Sequence, residues 1–247
     1  MSIDYPQMIA IPLAIGLVAF LYSSVGHGGA SGYIAVMTLC GFTTELIKPT
    51  ALLLNILVAT ISTLQFWRSG HFSWSLFWPF ALLSAPAAFV GGYLPLAPSI
   101  FKPLVGVVLI FSALRLFLRR GDPAEVSPPR SSTALVVGAG IGFLSGLTGT
   151  GGGIFLTPLL LFRGWAQTRS AAAVSALFIL VNSTAGLVGY FSSGQSISSL
   201  PWRLAMAAVV GGIVGSQLGS QRFPVRTISL VLSLVLIIAG SKLIFTR

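Results

Sequence analysis

Two glycine clusters are the residues best placed to do chemistry in this 247-residue chain: Gly26-His27-Gly28-Gly29 and Gly149-Thr150-Gly151-Gly152-Gly153. Each interrupts apolar sequence that otherwise reads as helix, between a long run and a short one. Without a Cβ, glycine takes positive φ and lets a ligand or a second backbone come close. The unpaired N–H groups opening the next helix then point at that ligand, with the positive end of the helix dipole behind them. Such a place holds a small anion. Two of them face to face would hold one near the membrane midplane without a buried Lys or Arg, whose charge is costly there. The competing reading is close helix packing through small residues; duplication at equivalent places weighs against it.

Other side chains complete the candidate site. His27 sits inside the first cluster, where the second has Thr150. Two readings of it are open: a group that takes up a proton near neutral pH and then attracts an anion, or a structural hydrogen bond to a carbonyl. Ser23, Ser24, Thr50, Asn55, Thr60, Gln65, Ser145, Thr148, Ser175, Asn182 and Thr184 place hydroxyls and amides inside helical runs. Asn55 and Asn182 are the costliest to face toward lipid, so both are expected in the bundle interior, bonding either between helices or to substrate. Lys48, at the head of a helix, has two readings: a group that draws anions from solution, or simply a solvated interfacial lysine. Phe66, Trp67, Trp74, Trp78, Tyr190, Phe191 and Trp202 lie mostly at helix ends and read as interface anchors.

Absences narrow the chemistry. Asp4, Glu45, Asp122 and Glu125 are the only acids, all at termini, loops or a linker. No interior carboxylate is available for a cation site, a proton relay or paired acid–base catalysis. There is no P-loop and no HExxH, and Gly142-Phe143-Leu144-Ser145-Gly146 places its serine one position late for a nucleophile elbow. A single cysteine, Cys40, rules out an intrachain disulfide and thiolate-rich metal sites. The chain is therefore expected to be no enzyme, with no metal and no cofactor.

The elements that must position these residues follow from composition. The chain is 55% hydrophobic and 7% charged, against roughly 25% charged in a soluble domain. It reads as one integral membrane domain surrounded by lipid. The net charge of +10 belongs in loops facing the cytoplasm rather than on a nucleic-acid surface. No Lys or Arg precedes Lys48, so the run from Met8 lacks a signal peptide's basic start and reads as a retained first helix. Apolar runs fall at 8–25, 30–41, 47–67, 74–94 and 100–118, then at 132–148, 152–162, 171–192, 201–220 and 226–245. Between the two sets lies a polar, proline-rich linker, 119–131, unable to hide its backbone in lipid.

The two sets repeat. A shift of 124 residues pairs Phe66 and Trp67 with Tyr190 and Phe191, Thr60 with Thr184 and Gly91 with Gly215, and a shift of 123 superposes the glycine clusters. The short runs reach only about 16–18 Å against the roughly 30 Å of a hydrocarbon core. Whether they span or re-enter is open. If each counts as a pass, nine basic residues collect on the linker side and five on the other; if each continues the helix before it, the split is eight to six. The larger asymmetry favours five plus five. The expected fold is thus an all-α integral membrane protein of two homologous, inverted repeats, 8–118 and 132–245, joined by a cytoplasmic linker. Each repeat contains about five helical segments, one of them short and broken.

The Gly149–Gly153 break followed by Thr157-Pro158, its counterpart at Gly26–Gly29, and the helix starts Lys48-Pro49-Thr50-Ala51 and Ala172-Ala173-Val174-Ser175 resemble the sulfite exporter TauE/SafE family, also known as the 4-toluenesulfonate uptake permeases. The likeness covers essentially the whole chain. It implies a multi-pass carrier in the bacterial inner membrane for sulfite, a sulfonate or a related organosulfur anion. The first repeat departs from the pattern, with Ala30 at the third glycine and Ala35 where the second repeat has Pro158. The site expected from residues and likeness together is Gly26, His27, Gly28, Gly29, Asn55, Gly149, Thr150, Gly151, Gly152, Gly153, Ser175 and Asn182. It would bind one small anion, with His27 the interior group for any proton coupling. A passive anion channel and a non-transporting scaffold stay open as alternatives, as do the oligomeric state and the direction of transport.

Overall fold

The computed structural model describes residues 5–118, 125–197 and 202–219, and seven single positions between 233 and 245. Nine α-helices and no strand occur among them: α1 (Tyr5–Ser23), α2 (Ala30–Leu39), α3 (Thr44–Arg68), α4 (Trp74–Tyr93), α5 (Pro98–Phe117), α6 (Ser131–Thr148), α7 (Gly153–Phe162), α8 (Thr168–Ser192) and α9 (Trp202–Gly219). The expected last run, 226–245, lies almost wholly outside the described residues. Helices α3, α4, α6 and α8 are each long and apolar enough to cross a membrane. Side chains such as Leu13, Leu17, Leu82, Val136, Met206 and Val210 stand exposed on the outer surface. That surface suits a lipid solvent, in which outward apolar groups cost nothing.

Two cores hold the bundle. One joins α1, α2 and α3 with parts of α5 and α9; the other joins α4, α6, α7 and α8. Each core thus borrows one helix from the other half of the sequence. α2 is buried from Ala30 to Thr38, as expected of a short helix that is apolar on all sides.

The borrowed contacts depend on glycine. Helices α4 and α6 run parallel, and a Cβ built at Gly138, Gly142 or Gly146 would strike the backbone of Phe80, Ser84 or Ala88. Likewise Gly211, Gly215 and Gly219 of α9 lie directly on the carbonyls of Gly16, Phe20 and Ser24, in and just after α1. Backbone contact of this kind is how membrane helices associate when burying apolar surface gives no advantage. Gly142→Leu is therefore expected to push α4 and α6 apart and lower the melting temperature in detergent, at a cost of about 2 kcal/mol or more. Gly140→Leu is the control: nothing lies within 4 Å of its added Cβ, so the same assay should register no loss.

The path through the short helices is fixed by a surface contact. Ser127 N donates to Gly164 O at 2.9 Å, tying the start of α6 to the end of α7. After the turn at Gly149–Gly152, α7 therefore runs back toward the end of the bundle from which α6 starts. With 25 residues, α8 then spans about 37 Å and ends at the opposite face.

Candidate functional site

Gly29 and Gly152 stand at the N-caps of α2 and α7, with φ of 100° and 81°, and being glycines neither caps its own helix with a side chain. This left-handed conformation is cheap only for glycine. It turns the chain so that the first N–H groups of each short helix face the bundle interior, not lipid.

Between the two breaks stands Asn55 of α3, fully buried. Its Oδ1 accepts from the Ala30 N–H at 2.9 Å, the first amide of α2. Its Nδ2 donates to the Thr150 carbonyl and to Ser183 Oγ, each at 3.2 Å. A Cβ added at Gly28 would overlap Asn55 Oδ1, and one added at Gly151 would overlap Nδ2. Ile179 of α8 closes the other side: its Cγ2 would lie 2.9 Å from a Cβ at either glycine. One carboxamide thus bridges both breaks, and the glycines leave room for it.

The two breaks are not equivalent. At α2 the first amide is occupied by Asn55. At α7 the corresponding position belongs to Gly153, packed against the Ile179 side chain, which offers no acceptor. Among the described residues no hydrogen-bond acceptor meets the Gly153 or Ile154 N–H. Beside this end lies Ser145, fully buried, whose Cβ would sit 3.4 Å from a Cβ at Gly152 and whose Oγ has no partner. The first amide is thus taken at α2 and open at α7, where the unused Ser145 hydroxyl lies nearby; past that first amide, the Ser31 and Gly32 N–H groups of α2 likewise meet no acceptor among the described residues.

The remaining expected residues divide. Gly26 rests on Ala172, and Gly149 rests on the stem and backbone of Lys48. The His27 ring is 5% exposed, and its Nδ1 lies 3.1 Å from the Val25 carbonyl, so the structural hydrogen bond is present. Thr150 Oγ1 pairs with Thr148 Oγ1 at 3.0 Å. Ser175 Oγ accepts from Thr157 Oγ1 at 2.7 Å, which ties α8 to α7 below the break. Asn182 is buried as expected but turns toward α4, where its Oδ1 accepts from Ser84 Oγ at 2.7 Å and its Nδ2 has no partner. Thr60 and Thr184 stand on the outer surface, each donating to the carbonyl four residues back.

Three expectations change. Lys48 is 7% exposed, not solvated: its Nζ donates to Gly91 O and Gly92 O at 3.4 and 3.2 Å and sits 5.9 Å from the Tyr190 ring centroid. The negative end of the α4 dipole explains the placement. Phe66 and Tyr190, read as interface anchors, are 3% and 4% exposed. They pack at the two ends of the α3–α8 pair, whereas Trp67, Trp74, Trp78, Phe191 and Trp202 do face outward. Ser183, the further partner of Asn55 Nδ2, is not among the expected residues: a lone serine in an apolar run gives no sign of its partner 128 residues away.

The family model described as sulfite exporter TauE/SafE matches residues 11–243. The chain is similar to the probable membrane transporter protein y4hK of Sinorhizobium fredii, 40% identical over 97% of this chain and 99% of the relative. It is also similar to the probable membrane transporter protein YjnA of Bacillus subtilis, 26% identical over 92% and 96% of the two chains. A third relative is the probable membrane transporter protein MJ0441 of Methanocaldococcus jannaschii, 24% identical over 97% of each. No solved structure matches.

Proposed function

Since the chain belongs to the sulfite exporter TauE/SafE family, we propose that this multi-pass membrane protein is a secondary transporter for a small sulfur-containing oxyanion. Sulfite, a sulfonate or a related organosulfur anion would cross the bacterial inner membrane by alternating access. The observation that carries this reading is the convergence of two glycine-broken helix N-termini on one uncharged carboxamide. An anion there meets N–H donors backed by two helix dipoles, and the chain's four acids all lie outside both clusters in the sequence. In the arrangement described, Asn55 Oδ1 takes the place of a substrate oxygen on the Ala30 N–H. The substrate engages the open donors at α7, displaces that carboxamide and releases the tie to Thr150.

The motion that follows is read from the repeats. We take 8–118 and 132–245 as inverted repeats about the linker 119–131, each with one broken helix. Matching contacts support this. Gly91 lies on Phe143 as Gly215 lies on Phe20, and Gly26 lies on Ala172 as Gly149 lies on Lys48. Phe66 packs with Ala172 where Tyr190 meets Lys48. Two cores related in this way rock against each other around a fixed site, exposing it to one face and then the other.

Counterflow in proteoliposomes tests the proposal. Labelled sulfite should enter faster against unlabelled internal sulfite, and the rate should saturate. Flux that neither saturates nor responds to internal anion would mark a channel, and no flux under any gradient would mark a scaffold. In the same liposomes His27→Gln is expected to keep saturable uptake but lose any acceleration by a pH gradient, because His27 is the one titratable side chain inside a break.

A further inference from the structure

A second feature lies at the face where α8 ends. A cavity of about 440 Å³ opens there, lined by Thr44, Glu45, Lys48, Tyr190, Gln195 and Ser196 among others. Its one cation is Lys48, more than nine-tenths buried. Two of the ammonium's three hydrogens are taken by the Gly91 and Gly92 carbonyls, and no carboxylate pairs with it among the described residues. A charge buried this far without a counter-ion is costly and must find its balance in the helix dipole and in whatever enters the cavity. Behind it, the Lys48 stem rests on Gly149, where the second glycine break begins. Asn55 follows seven residues later on the same helix, two turns deeper on nearly the same face.

The repeat supplies a control within the molecule. The shift that carries Gly26 to Gly149 carries the Ala172 contact to the Lys48 contact, and Phe66 corresponds to Tyr190. At the opposite end of the α3–α8 pair, then, an alanine packs with a phenylalanine in an apolar cluster. Among the described residues no buried Lys or Arg stands at that end.

We infer that the Lys48 cavity is a second, outer binding site for a small oxyanion, a vestibule that loads the inner glycine site from the face opposite the linker. The ligand class rests on the transport reading; the position rests on the cavity and the buried cation alone. Exposed Glu45 at the rim opposes the attraction, so the two charges have opposite effects on an arriving anion.

The test places a thiol in the cavity, Ser196→Cys in a Cys40→Ala background, and compares labelling by an anionic and a cationic methanethiosulfonate, each rate divided by that of a free thiol. The anionic reagent should be favoured. Lys48→Gln should lower the ratio about tenfold, Lys48→Arg should restore it and Glu45→Gln should raise it. Sulfate replacing chloride at equal ionic strength should slow labelling when Lys48 is present and not in Lys48→Gln. A ratio indifferent to Lys48, or labelling indifferent to sulfate in the Lys48 protein, overturns the inference. The sulfate arm needs no change at Lys48, so it is read even if Lys48→Gln misfolds. Asn55→Asp should lose transport and keep both labelling effects, which separates failure of the inner site from failure of the outer one.

Discussion

Asn55→Asp is expected to abolish anion uptake, a fall of about a hundredfold or more, without unfolding the protein. Asn55 is fully buried, and one atom of its carboxamide accepts from the Ala30 N–H while the other donates to Thr150 O and Ser183 Oγ. Aspartate has the same shape and keeps the acceptor on α2. Its charge is welcome to two helix N-termini, which offsets part of the cost of burying it. It also puts a fixed anion where the substrate's charge would stand and turns an oxygen toward the Thr150 carbonyl, which formerly accepted a hydrogen bond. Added sulfite should then no longer raise the melting temperature. Asn55→Ala gives the complementary result. It gives up three hydrogen bonds, each worth roughly 0.6–1.7 kcal/mol in a membrane interior, so the protein should melt lower yet still gain stability from sulfite. Normal uptake by Asn55→Asp would place the substrate elsewhere.

Gly28→Ala and Gly152→Ala are expected to lower uptake by at least about tenfold, for different reasons. Gly28 has no left-handed φ to preserve, so only the added methyl matters, and it would overlap Asn55 Oδ1. The change should move Asn55 off the Ala30 amide and misalign α2 without backbone strain. Gly152 has φ of +81°, and its added Cβ would lie 3.0 Å from Phe178 Cε1 and 3.1 Å from Ile141 Cγ2. Strain and crowding act together there. Gly70→Ala separates them: it has φ of +74° with nothing within 4 Å, so it bears the same roughly 1–2 kcal/mol of backbone strain and should leave transport intact. Uptake measured per folded protein, quantified by size-exclusion chromatography, is the readout. Equal loss in Gly70→Ala and Gly152→Ala would reduce the second break to a fold requirement.

Much of this arrangement was legible because glycine and charge punctuate the chain wherever the backbone turns. The short run 30–41 matches Ala30–Leu39, and 152–162 matches Gly153–Phe162. The apolar run starts at 171, three residues after α8 itself, because Thr168, Arg169 and Ser170 are polar, yet they form its first turn. Burial of Asn55 and Asn182 followed from the cost of an amide in lipid, but the partners did not. Asn182 bonds across to Ser84 of α4, and only the borrowing of α4 by the second core brings those two together. The burial of Lys48 is hidden from the sequence for a related reason: its counter-charge is the carbonyl end of α4, 43 residues away, which sequence presents as an ordinary Gly-Gly pair. Phe66 and Tyr190 carry the aromatic signal of an interface and lie at helix ends, yet the antiparallel crossing of α3 and α8 buries both.

Binding to the purified protein tests the central claim most directly. Thermal stability in detergent is measured with sulfite, sulfate, thiosulfate, sulfoacetate and an aromatic sulfonate, with chloride as reference, for the native chain and for Gly152→Ala. The account predicts a selective, saturable rise with at least one sulfur anion, weakened in Gly152→Ala. No rise with any of them in folded native protein, or an equal rise in both proteins, would contradict it.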